Sequence, residues 1–307
     1  MIYTVTLNPS IDYIMRLDDF NSNETNRANA TEMYVGGKGI MVSKLLKNLG
    51  VDSINLGFLG GFTGEYMEKL LDELKIHHDF TKIKSDNRIN VKLKTSCETE
   101  INAQGPEIST DELNDFYTKL SEIEEGIVAF SGSVAKNMDK YIYIDMIKKL
   151  SEKTKFTLDT TGDVLLESLE YNPLLLKPNK AELEEIYGDK FSSKNEIISY
   201  IKSTMIPKAE FVICSLGSEG AIFVSDSNSF FIPAIKKNVI NSVGAGDSMV
   251  AGFIYAYLNK MNEEDCFKMA VASATATVFS YDVGEKNLID EIFNELKVIN
   301  MGENNGN

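Results

Sequence analysis

The sequence predicts an α/β protein: a mostly parallel central sheet covered by helices, with a small β-sheet lid attached. Three observations lead there. Short runs of branched and apolar residues alternate with longer amphipathic runs over most of the 307 residues, the signature of parallel strands joined by covering helices. The short runs end in polar or glycine-rich clusters such as Asn8-Pro9-Ser10 and Ser131-Gly132-Ser133, and in open α/β sheets that edge carries the ligand crevice. Residues 12–34 and 87–103 break the alternation and show no helical period.

Residues 2–7 are apolar and branched and stop before Pro9, so they read as a strand; a secretory leader would open with a basic segment. An amphipathic helix follows at 38–49, closed by Gly50, then a strand near 53–59 and a helix over 64–74. The run from Leu56 to Gly64 resembles a loose dinucleotide fingerprint, but its glycine spacing is wrong and a tight strand-to-helix turn is expected instead. Arg88-Ile89-Asn90-Val91-Lys92-Leu93-Lys94 alternates polar and apolar, as a half-exposed strand does. Glu98-Thr99-Glu100-Ile101-Asn102 makes its hairpin partner. The lid is thus assigned to 11–34 and 87–103, and the α/β domain to 1–10, 35–86 and 104–307. A lid excludes water from a transfer site, and an apolar outer face on it would favour a homodimer. Strands at 127–130, 156–158, 174–176 and 211–214 end respectively in Ser131-Gly132-Ser133, Asp159-Thr160-Thr161-Gly162, Lys177-Pro178-Asn179 and Ser215-Leu216-Gly217. Helices are expected at 140–150, 247–259, 263–280 and 289–298, and the tail from Gly302 is expected to fray.

Composition narrows the function. With 46 acidic against 31 basic side chains and a formal charge of −15, the chain is a poor ligand for nucleic acid, whose affinity comes largely from Lys and Arg, and for an anionic membrane surface. No apolar run reaches the length of a membrane span. Cys97, Cys214 and Cys266 are scattered and odd in number, which fits a reducing cytoplasm better than a disulfide framework or a zinc site. His77 and His78 are adjacent in a polar stretch and read as surface residues.

One stretch points to chemistry. In Asn241-Ser242-Val243-Gly244-Ala245-Gly246-Asp247-Ser248 a glycine-rich turn feeds a helix start with a carboxylate in its first turn. Free amides at a helix N-terminus bind anions, and glycines allow close approach. A carboxylate beside a phosphate is useful where a proton must be lost, so the octapeptide reads as a phosphoryl-transfer centre. The alternative is an Asp that merely offsets the helix dipole. Other clusters carry similar pairs of readings. Gly36-Gly37-Lys38-Gly39 lacks the Ser or Thr of a Walker A motif but lets backbone approach a sugar or phosphate. Asp12 suits sugar hydroxyls or an Asx turn. Arg88, Asn90 and Lys92 share one strand face and suit a phosphate clamp or a solvated surface. Asn179 and Glu182 suit a water-mediated magnesium site or a helix capping box.

Together these clusters resemble the ribokinase-like sugar kinases, in the phosphofructokinase B branch, over essentially the whole chain. The order matches: Asp12, then Gly36-Gly37-Lys38-Gly39, then Lys177-Pro178-Asn179 with Glu182, then Gly244-Ala245-Gly246-Asp247. The resemblance implies a three-layer α/β/α domain with a lid that often makes a dimer, and transfer from ATP, with Mg2+, to a ketohexose phosphate. Fructose 1-phosphate is the first expectation and tagatose 6-phosphate the second. By resemblance, Asp247 takes the acceptor proton, and Gly244, Ala245 and Gly246 form the anion hole. Asp12, Gly37, Lys38 and Ser131 would contact the sugar phosphate, with Arg88 on its phosphate. Asn179, Ser215, Gly217, Gly220 and Gly246 would lie along ATP, and Asn179, Glu182 and Asp159 would organise the metal. The branch usually has Asn two residues after Gly39. Here Met41 stands there and cannot make an amide's hydrogen bonds, so the resemblance does not fix the sugar. The competing class is a non-catalytic sugar-phosphate-binding protein.

Overall fold

The first strand, β1 (Ile2–Thr6), shows how the sheet is built. Val5 enters an apolar core on one face and Ile2 a second core on the other, because successive strand side chains alternate. The structure, a computed structural model, describes residues 1–96, 98–160 and 162–302. Cys97, Thr161 and the tail beyond Gly302, where fraying is expected, lie outside them. After β1 come β2 (Ser10–Arg16), β3 (Ala30–Gly36), α1 (Lys38–Asn48), β4 (Ile54–Gly60) and α2 (Gly61–Glu73). Short strands β5 (His77–His78) and β6 (Thr81–Ile83) precede β7 (Arg88–Lys94), β8 (Glu98–Ile101) and α3 (Thr110–Ser121). The middle of the chain gives β9 (Gly126–Ser131), α4 (Ile142–Ile147), β10 (Thr154–Asp159), α5 (Asp163–Ser168), β11 (Leu175–Leu176), α6 (Lys180–Tyr187) and α7 (Lys194–Thr204). It ends in β12 (Phe211–Ser215), β13 (Gly220–Val224), β14 (Ser229–Pro233), α8 (Ala245–Leu258), α9 (Glu263–Val278), α10 (Lys286–Glu295) and β15 (Ile299–Asn300).

The main sheet runs β15-β14-β13-β12-β11-β10-β9-β1-β4-β5, with β6 also paired to β4. From β5 to β12 the pairings are parallel; β12 to β15 pair antiparallel. One face is covered by α3, α4, α5, α6 and α7 through residues such as Phe116, Met146, Leu165, Leu183 and Ile201. The other is covered by α1, α8, α9 and α10 through Leu45, Phe253, Phe267 and Ile292. This is the expected three-layer arrangement. A separate four-stranded sheet, β3-β2-β7-β8, is the lid; β2 pairs antiparallel with β3 and parallel with β7, and β8 closes the hairpin foreseen from the sequence.

Two differences from the sequence expectation have physical causes. The helix expected over 140–150 is confined to Ile142–Ile147, because bonds three residues back (Ile142 N to Asp139 O, Leu150 N to Ile147 O) tighten both flanks into turns. The edge β13–β15 breaks the parallel rule. There β13 returns directly from β12 through the turn at Gly217 and Gly220, and a Cβ on Gly220 would stand 2.0 Å from Ile232 O of the neighbouring strand. The run from Leu56 to Gly64 passes directly from strand to helix as expected, β4 ending at Gly60 and α2 starting at Gly61. Cys214 and Cys266 are free and buried, their thiols pushed up to about 12 by burial. Among the described residues no helix is long and apolar enough to cross a membrane.

Candidate active site

Five neighbouring parallel strands set out the site in order. From β1 through β9, β10 and β11 to β12, the residues at or just past their C-terminal ends include Asn8, Ser131, Asp159, Lys177 and Ser215. Asp159 is the hub. Its Oδ1 lies 3.2 Å from Lys177 Nζ and its Oδ2 3.3 Å from Lys38 Nζ. Asp159 and Lys177 are buried, whereas Lys38, the first residue of α1, is half-exposed. Burial pulls the Lys38 ammonium down, but the carboxylates of Asp159, Asp247 and Glu182 outweigh it and its pKa is raised.

Asp247 is the third residue of α8, whose N-cap is Gly244 at φ 80°. A side chain there would be strained and its Cβ would stand 2.9 Å from Met41 Cε. The amides of Ala245, Gly246 and Asp247 precede the first helical bond, Ser248 N to Gly244 O at 2.8 Å, so they have no partner within the helix. Lys177 Nζ lies 3.3 Å from where a Gly246 Cβ would be, which places the ammonium against the same turn. Asp247 is buried and its Oδ1 has no hydrogen-bond partner among the described residues. Burial first, and then the Asp159 charge, push its pKa up to about 7 against the pull of Lys38 and Lys177.

A cavity of about 890 Å³ opens between this turn and the lid. It brings together Asp12, Gly37, Lys38, Arg88, Ser131 and Asp247. The Ser131 hydroxyl is buried without a partner among the described residues, a second polar atom open to a ligand. Asp12 Oδ1 accepts from Ser10 Oγ (2.8 Å) and Asn90 Nδ2 (3.0 Å), and its Oδ2 lies 3.2 Å from Lys92 Nζ. The register that sets Asp12 opposite Asn90 makes this cluster. Arg88 lines the cavity, but its Nε donates to Asn8 O (3.1 Å) and its Nη1 to Ala103 O (3.1 Å), so it also ties the lid to the sheet. Burial lowers its pKa despite Asp12. Arg88→Ala is expected to raise the KM for an anionic sugar substrate about 10- to 100-fold, the scale of a lost charged hydrogen bond, with the KM for ATP unchanged. Steady-state kinetics with each substrate varied checks this, and a rise confined to ATP would reassign Arg88.

The remaining expected residues lie outside that cavity. Gly244, Ala245 and Gly246 form the turn behind Asp247, while Asn179, Glu182, Ser215, Gly217 and Gly220 line the strand ends beyond Asp159. Asn179 and Glu182 make the full capping box of α6: Asn179 Oδ1 accepts from Glu182 N at 2.9 Å, and Glu182 Oε2 from Asn179 N at 2.7 Å. Burial raises the Glu182 pKa, with the Asn179 N–H and Lys177 opposing and Asp159 adding to it. Among the described residues no three His, Cys, Asp or Glu side chains group as a metal cage. In the sequence Lys177 stands only within the run Lys177-Pro178-Asn179. Its signal was a lysine placed between an apolar strand and Pro178, where a buried charge needs a partner.

A three-layer domain whose lid covers such a carboxylate has the architecture of the ribokinase-like sugar kinases. Residues 5–289 match the pfkB family carbohydrate kinases, and the chain belongs to that family. It is 41% identical over 303 residues to the 1-phosphofructokinase of Bacillus subtilis (strain 168), covering 98% of this chain and 100% of that one. It is 35% identical over 313 residues to the tagatose-6-phosphate kinase of Staphylococcus epidermidis, covering 98% and 100%. The crystal structure of phosphofructokinase-2 from Escherichia coli in complex with substrates and products superposes with a TM-score of 0.90 at 24% identity, over 96% of this chain and 98% of that one, a likeness of fold.

Proposed function

We propose that this chain transfers the γ-phosphoryl group of ATP to a hydroxyl of a ketohexose phosphate in the cytoplasm, with fructose 1-phosphate as acceptor and fructose 1,6-bisphosphate as product. The observation that carries this is the buried Asp247 carboxylate at the wall of a cavity, its Oδ1 without a partner among the described residues, at a helix start and within the fields of Lys38 and Lys177. The names of the relatives supply the acceptor class.

The acceptor hydroxyl gives its proton to the free Asp247 Oδ1 as it attacks in line. The Ala245, Gly246 and Asp247 amides stabilise charge on the moving group's equatorial oxygens. Lys38 and Lys177, held by the common Asp159, flank the acceptor and donor sides of that position. Arg88 and Lys92 on the lid supply positive charge for the acceptor's own phosphate. The lid keeps water from competing as acceptor. Asn179, Glu182 and Asp159 would hold a Mg2+ ion through water: among the described residues Glu182 engages the Asn179 N–H through Oε2, leaving Oε1 for a bound water, and a cation would relieve the repulsion between Glu182 and Asp159. When bound, such an ion neutralises charge on the nucleotide phosphates.

A coupled ADP-release assay with fructose 1-phosphate, tagatose 6-phosphate and fructose 6-phosphate tests the reading. Turnover is expected with fructose 1-phosphate. A best rate with tagatose 6-phosphate would move the acceptor and keep the mechanism, whereas binding without ADP release would make this a sugar-phosphate sensor.

The lid face turned from the cavity exposes Met33, Ile89 and Ile101, an apolar patch that suits pairing with a second copy. Sedimentation at micromolar concentration is expected to give a dimer, and Ile101→Asp a monomer. A wild-type monomer would remove the lid interface.

A further inference from the structure

We propose that Tyr143 is a positioning residue for the acceptor: its hydroxyl holds the turn at Ser131 and Gly132 so that the Ser131 hydroxyl meets the sugar phosphate. The inference rests on the kinase reading and deepens it. Tyr143 is the second residue of α4, is buried, and is not among the residues that line the cavity. Its ring packs edge-on against Phe130 of β9, with the centroids 5.8 Å apart. Its Oη lies 3.0 Å from Ser131 O and 3.0 Å from Gly132 O, and its one proton is donated to that pair. Ser131, Gly132 and Ser133 line the cavity, so the phenol grips from behind a turn whose front is the cavity wall.

That turn needs an external hold. Gly132 sits at φ 102°, and glycine restricts its own backbone least of all residues. The register sets Ser131 beside Asp159, and a Cβ on Gly132 would stand 3.4 Å from Lys38 Cβ. On the other side Arg88 Nη2 lies 3.5 Å from Ser133 Oγ. The turn therefore lies between the two cations assigned to the acceptor. Its far end is anchored by Asn8, whose Nδ2 donates to Val134 O at 3.0 Å; its near end is anchored by Tyr143. The Ser131 hydroxyl, without a partner among the described residues, is aimed by its backbone, and fixing the carbonyls of Ser131 and Gly132 fixes that backbone. Burial raises the pKa of the Tyr143 phenol, and the Asp159 charge adds to it. The group thus stays protonated, and a donor, across the neutral range.

Tyr143→Phe removes the hydroxyl and keeps the ring. With fructose 1-phosphate, or whichever sugar phosphate the wild type turns over, the acceptor KM is expected to rise about 3- to 10-fold, the scale of one neutral hydrogen bond. Both kcat and the KM for ATP should be little changed. Ser131→Ala should raise the same KM by a similar factor. Adding Tyr143→Phe to Ser131→Ala should then raise it by less than about 2-fold more, because the group being aimed is gone. A tyrosine that only supports the fold would act alike in both backgrounds and on both substrates. Such equal effects overturn the proposal, as does an unchanged acceptor KM in either single variant. If Tyr143→Phe does not fold, Tyr143→Met, which fills the space without a donor, is read in its place. A wild type that turns over no sugar phosphate is a different failure and removes the kinase reading beneath it.

Discussion

Asp247→Asn is expected to lower kcat at least ~100-fold while leaving both KM values within a few-fold, the scale of a lost general base. The pH behaviour should change with it. Asp247 must be ionised to accept a proton, and burial holds its pKa up to about 7. In the wild type kcat/KM should rise with pH through that value and level above it, and in the variant this limb should vanish. Stability should move oppositely. The folded-state pKa lies above that of the unfolded chain, so the native state binds the proton more tightly; the resulting stability is complete below about pH 4 and is lost as pH rises through about 7. The loss is of order 4 kcal/mol at most. Asn cannot ionise, so the variant should melt above the wild type at pH 8 and show no such advantage at pH 4. Wild-type turnover in the variant, or equal melting temperatures at pH 8, would dismiss the assignment of Asp247 as a buried base.

Lys177→Met should cost both stability and rate. Its ammonium is buried 3.2 Å from Asp159, itself buried. Removing one partner of a buried pair costs about 3–5 kcal/mol, and because Asp159 keeps Lys38 the low end is expected. Urea unfolding should report it, and kcat should fall about 100-fold, as when one stabilising donor is lost. The double change Asp159→Asn with Lys177→Met should recover at least ~1 kcal/mol, because the stranded carboxylate is gone. A single variant as stable as the wild type would show that Asp159 does not depend on Lys177.

The parts of the fold legible in the sequence are those where local chemistry and tertiary role agree. β1, α1 and the turn before α8 carry apolar periodicity bounded by Gly, Pro or Asn, and these signals do not depend on distant partners. α3 and α7 escape that reading for opposite reasons. α3 buries only Phe116 and Leu120, although its Ser109–Glu112 capping box is present. α7 presents branched Ile197, Ile198 and Ile201, residues equally at home in strands. The β13–β14 hairpin escapes because strict alternation assigns a helix after each strand. The site divides the same way. Asp12, Lys38, Arg88, Ser131 and Asp247 do meet at one cavity, since Asp12 and Arg88 lie on lid strand faces, Ser131 ends β9, and Lys38 and Asp247 stand in the first turns of α1 and α8. The pairing of Lys177 with Asp159 is not legible in sequence, because the contact is made between the ends of adjacent strands.

The lid is sewn from two distant stretches joined by the parallel β2–β7 seam. Neither half can peel away without breaking that seam, so the two stretches are held as one plate tethered at the four places where the chain crosses beneath it. Two of those crossings, at Asn8 and Ala103, are pinned by one guanidinium, and a third by Asn87, whose amide bonds Phe58 O at 3.0 Å and Gly60 N at 2.8 Å. Were Arg88 drawn onto a ligand's phosphate, its bonds to Asn8 O and Ala103 O would have to loosen together, so the two tethers are not independent.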